Sequence, residues 1–141
     1  MERDLQVHTD DINFLNAELR HVVQFFRGLE REPCDVFFGW SWRAERDKPE
    51  PMMKSVKVQL LDLEAEVRRA EDAGLGQFGS DDVWISFEGP ALKFQFCHHG
   101  GIHLFHSEQN GITEHFRARW QDAGLSPKEF EKLNDTDWLP V

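Results

Sequence analysis

No run of about 18 apolar residues occurs in this chain, so the sequence offers no membrane-spanning helix. Cysteine is nearly absent, with Cys34 and Cys97 the only two thiols. At 141 residues the chain is long enough to bury a core without disulfide or metal staples. Residues 1–6 lack the basic start and apolar stretch of a secretory signal. Reduced thiols and a cytoplasmic location are therefore expected. Basic side chains are also scarce, 16 against 26 acidic ones, for a net charge of −10. That balance argues against nucleic-acid or anionic-membrane binding, since both need a positive surface. Tyrosine is missing altogether, and the sequence suggests no physical reason for it.

Several catalytic signatures are absent too. The chain has no phosphate-cradling glycine loop, nucleophile elbow, His-Glu-x-x-His or Cys-x-x-Cys. The glycine-rich run from Gly74 to Gly79 follows a predicted helix and precedes a strand, the reverse of a dinucleotide-binding context.

What is present is aromatic and periodic. Twelve Phe and five Trp are spread over patterned segments. Ile12, Leu15, Leu19, Val22, Phe26 and Leu29 recur at spacings of three and four, which predicts a helix. Thr9 or Asp10 is the candidate cap, and Gly28 and Pro33 mark the end. Residues 35–43 alternate as a strand, with Val36, Phe38, Trp40 and Trp42 on one face. Met53, Val56, Leu60, Leu63, Val67 and Ala70 predict a second helix stopped at Gly74. Val56, Val58 and Leu60 also alternate, so a strand over 55–60 leading into a shorter helix is the alternative. Residues 83–87 read as a strand, and 92–98 with 102–107 as a hairpin around Gly100-Gly101. Ile112, Phe116 and Trp120 predict a third helix. Ser126, Pro127 and Glu129 form a capping box that predicts a fourth.

The hairpin gathers Cys97, His98, His99, His103 and His106 within ten residues. With Gly100 and Gly101 as a two-residue turn, His98 opposes His103 at the spacing of two ligands to one zinc ion. Cys97, His99 and His106 then project from the other face. A further ligand would have to come from His115, His21 or an acidic side chain. A longer turn would shift the register and exchange faces. Cys97 reads as a small apolar core residue, because its neighbours along a strand are poor catalytic partners and no orienting carboxylate is evident. Asp81-Asp82 reads as a solvated strand entry, and Trp84 as the tryptophan suited to a surface contact.

The expected architecture is a single α+β domain over 1–141, with a loose lead-in over 1–9, a mobile loop over 43–52 and a tail over 135–141. Its small, mainly antiparallel sheet has about four strands, with helices on one face or end, in the order α-β-α-β-β-β-α-α. The expected function is that of a non-enzymatic, acidic, bacterial-type cytoplasmic domain that binds a basic protein. At class level its size, charge and architecture look like immunity-type antagonists. The residues expected to meet the partner are Glu64, Glu66, Glu71, Asp72, Asp81, Asp82 and Trp84. The alternative is a zinc-binding protein, with a hydrolase as one form, centred on His98 and His103. A homodimer formed by sheet-edge pairing is a third reading.

Overall fold

The computed structural model describes residues 2–30, 34–38, 55–87, 92–107 and 111–132. Ten elements follow one another: β1 (Glu2–Val7), α1 (Ile12–Gly28), β2 (Cys34–Phe38), β3 (Ser55–Val58), α2 (Leu60–Asp72), β4 (Val83–Phe87), β5 (Leu92–Phe96), β6 (Ile102–His106), α3 (Gly111–Asp122) and β7 (Lys128–Lys132). The strands form one sheet in the order β3-β2-β4-β5-β6-β1-β7. Every neighbouring pair is antiparallel.

The α+β class stands, but the four-strand sheet and the element order do not. The sheet has seven strands, and three of them fall where the sequence pointed elsewhere. The expected lead-in is β1, whose Leu5 and Val7 alternate with Asp4 and Gln6 and are buried. The start of the expected long second helix is β3, so the strand-then-helix alternative is the one realised. The expected fourth helix is β7, an edge strand on β1. There the tertiary partner overrides the local capping box. Glu129 lies opposite Leu5 and takes ion pairs from Arg3 and Arg117. Trp40 and Trp42, the 43–52 loop and the 135–141 tail lie outside the described residues.

The α1 cap is Asp11, which accepts from the backbone N–H groups of Asn13 and Phe14 at 3.0 and 3.3 Å. Leu15, Leu19, Val22 and Phe26 of α1 are buried, as are Leu60, Leu63, Val67 and Ala70 of α2 and Phe116 and Trp120 of α3. All three helices pack on one sheet face. One row of that face runs Val56, Val36, Ile85, Phe94, Leu104, Leu5, Glu129. Its apolar members from Val36 to Leu5 share a single core cluster with the helices. The opposite face carries two other rows. One is Phe37, Trp84, Gln95, His103, Gln6, Lys128, and the other is Lys57, Asp35, Ser86, Lys93, Phe105, Asp4, Phe130.

α1 lies antiparallel to both other helices. Arg20 pairs with Glu64 and Asn16 with Arg68, while His21 meets His115 and Glu18 meets Arg119. The N-terminus of α1 therefore lies at the same end of the molecule as the C-termini of α2 and α3. No helix among the described residues is long and apolar enough to cross a membrane.

Candidate functional site

The β5–β6 turn sets the site. Cys97 N–H donates to the Gly101 carbonyl at 3.0 Å, and Gly100 N–H donates to the Cys97 carbonyl at 3.1 Å. Gly100 has φ +81, so the loop has three residues, a tight turn followed by a left-handed glycine. The two-residue turn is thereby corrected. Gln95, not His98, opposes His103, and Phe96 opposes Ile102. This shift of three residues exchanges faces, as any odd slip must. Cys97 joins His103 on the face away from the helices instead of lying opposite it.

Two carboxylate–imidazole pairs meet this thiol. Asp82, the residue before β4, is only 1% exposed. Its Oδ1 accepts from the His98 backbone N–H at 2.8 Å, lies 2.8 Å from His98 Nδ1, and accepts from Gln95 at 3.3 Å. Asp4 on β1 lies 3.0 Å from His103 Nδ1 and accepts from Gln6 at 2.9 Å. The Cys97 side chain also acts on the His103 ring. Burial alone would lower the His103 pKa, but Asp4 and Cys97 outweigh it and push the ring up to about 9. The Cys97 sulfur further accepts the His99 backbone N–H at 3.4 Å. A thiol, two imidazoles and two carboxylates thus share one largely buried patch, where ionisable groups are costly unless paired.

One donor atom each from Asp82, Cys97 and His98 lie within 4.8 Å of one another. His98 of the expected zinc pair is in this group, while His103 is turned to Asp4. His21 and His115, weighed as extra ligands, are on the helices and face each other at 2.8 Å. His106 is fully buried on the core face beside Glu129 at 3.0 Å. Sequence reasoning missed Asp4, Gln95 and the use of Cys97. The alternation of Asp4 and Gln6 with Leu5 and Val7 was the available signal for β1, and it was obscured by its position at the chain start.

The residues expected to meet a partner are not gathered in one place. Glu64 pairs with Arg20, Glu66 with Arg69, and Glu71 with Arg68 and the Phe78 backbone. Asp81 accepts from Gln77 N–H at 2.8 Å. Asp72 is exposed at the end of α2. Asp82 is interior, not a solvated strand entry. Trp84, expected at the surface, is 7% exposed. Its ring stacks on Phe105 at 5.7 Å, and the Lys93 ammonium lies over it.

No family model, curated protein or solved structure matches the chain.

Proposed function

We propose that this chain is an acidic binding domain that captures a basic protein, as an antagonist or immunity-type protein does. The observation that carries the reading is an unneutralised acidic pole. Asp72 ends α2 and Asp122 ends α3, and both are exposed. A carboxylate at a helix C-terminus faces the negative end of the dipole, so helix stability does not explain either residue. The antiparallel packing of α1 brings both to the end where Asp10 and Asp11 stand, and Asp122 lines one cavity with Phe14. Asp11 has a structural use as the α1 cap. Asp10, Asp72 and Asp122 have no ion pair among the described residues. Added to a net charge of −10, this pole would steer a cationic partner and speed its approach. Glu64, Glu66 and Glu71, held by arginines of their own chain, would contribute to the field more than to direct contacts.

The test is affinity capture from the source cell at low salt, followed by binding kinetics with the protein retained. A basic partner is expected, with an on-rate that falls as salt rises. An Asp10→Asn/Asp72→Asn/Asp122→Asn variant should slow association about tenfold. Retention of no basic protein would refute the reading. So would a partner bound equally well by the triple variant and in high salt.

A further inference from the structure

The geometry points to a metal site in which Asp82, Cys97 and His98 bind one divalent ion of the zinc class, leaving a fourth position for water or an exogenous ligand. This inference does not depend on the acidic pole. It rests on three donors of different chemistry brought together from the entry of β4, the end of β5 and the hairpin loop, two of them buried.

The donor set selects the ion. A thiolate and an imidazole favour zinc, cobalt or a similar borderline metal over magnesium or calcium, which take oxygen shells. A tetrahedral zinc site has metal–ligand bonds of about 2.0–2.3 Å, which hold donor atoms about 3.3–3.5 Å apart. The three donor atoms already lie within 4.8 Å of one another, so only small shifts separate them from that spacing. Loading replaces the hydrogen bond between His98 Nδ1 and Asp82 with two bonds to the ion. Cys97 binds as thiolate and gives up its proton to solvent, and His98 carries its remaining proton on Nε2.

The surroundings fit a ligand shell. Gln95 donates to the Asp82 carboxylate and orients it. The Asp4–His103 pair stands beside Cys97, where the imidazole would donate a hydrogen bond to a metal-bound thiolate. His98 is 26% exposed at its side chain and Asp82 1%, so the open position faces the hairpin tip and solvent can reach it. The site differs from the pair expected from sequence. One histidine of that pair is a ligand, and the other supports the sulfur.

The experiment uses the full, untagged chain stripped with a chelator. Zinc is titrated calorimetrically, and Co²⁺ is added separately to read thiolate coordination by its charge-transfer absorption. One equivalent of each ion should bind, with a thiolate-to-cobalt band. Cys97→Ser should abolish the band, and His98→Ala should weaken zinc binding at least tenfold. Circular dichroism checks that both variants fold, and His98→Ala tests the site at its most exposed ligand if Cys97→Ser does not. His103→Gln should keep the stoichiometry at one while weakening zinc binding about tenfold, as loss of a supporting hydrogen bond does. Failure to bind a stoichiometric ion would overturn the site. Zinc binding unchanged in His98→Ala would do the same, as it would place the ion on surface histidines such as His8 or His99.

Discussion

The two faces of this sheet bury ionisable groups in different ways. On the helix-covered face, Glu18 of α1 is fully buried and receives Arg119 Nε and Trp120 Nε1, each at 2.6 Å. Glu129 receives Arg3 and Arg117. Burial alone would raise the Glu129 pKa, but these guanidinium groups and His106 hold it below the usual carboxylate range. Arginine stays protonated at any relevant pH, so each of these sites is a permanent ion pair that ties one element to another. On the opposite face, Asp4 and Asp82 meet imidazoles beside a thiol. An imidazole, unlike a guanidinium, can give up its proton. Imidazoles beside a thiol, set against carboxylates that each have an arginine on the other face, mark the thiol face as the candidate site.

Stability measurements can break this comparison. The largest effect should come from Glu18→Ala, which leaves the half-buried Arg119 without its partner and a buried indole N–H unsatisfied. Denaturant unfolding at pH 7 should show a loss of about 3–5 kcal/mol. Asp4→Asn, on the other face, keeps an acceptor for His103 and Gln6 and should cost only about 1–2 kcal/mol. Equal losses would mean that the thiol face is as structural as the core face.

The second effect concerns the turn that puts Cys97 on its face. Gly101 has φ +123, and a β-carbon there would stand 2.4 Å from the Val7 carbonyl oxygen. That contact is with backbone, so β1 or the hairpin must move. Gly101→Ala should cost about 2–3 kcal/mol from strain at this φ plus the displaced strand. Gly124 also has positive φ, but a β-carbon added to it would meet nothing within 4 Å. Gly124→Ala should cost about 1 kcal/mol, the conformational penalty alone. If the two losses match, β1 does not pack closely on the turn.

That turn also shows how far the sequence could be read. The helices were legible because Leu15, Leu19, Val22 and Phe26, and Leu63, Val67 and Ala70, repeat with helical period and pack as the pattern requires. The hairpin was legible as a hairpin. Its site was not, because a Gly-Gly pair fits both a two-residue and a three-residue loop. The choice between them decides whether Cys97 lies with His103 or opposite it. β7 was illegible for another reason. A capping box is a local signal of about 1 kcal/mol, and the backbone bonds to β1 with the Glu129 ion pairs outweigh it. Asp82 reads as a solvated turn because nothing near it in sequence reveals the His98 backbone 16 residues away.

The smallest effect tests whether the histidines of the helix-covered face respond to protons. His21 and His115 lie between α1 and α3, Nε2 to Nε2 at 2.8 Å, with their rings stacked, Phe25 stacked on His115 and Phe116 edge-on to both. Arg119 and Glu18 are the charged groups that face them. Burial, Arg119 and His115 together lower the His21 pKa to about 4, and burial with Arg119 lowers that of His115. The sign follows from linkage. The unfolded chain takes up its proton first as pH falls, so the stability from neutral His21 is complete above pH 6.5 and is lost between 6.5 and about 4. Solvent screening of this part-exposed ring reduces the effect to about 1 kcal/mol, or a Tm lowered by about 3–6 °C between pH 7 and pH 4.5. His21→Phe removes the titration and keeps the aromatic packing, so its Tm should fall less over that range. If wild type and variant lose Tm in parallel, the acid sensitivity lies with the carboxylates. The helix-covered face would then hold its histidines without cost.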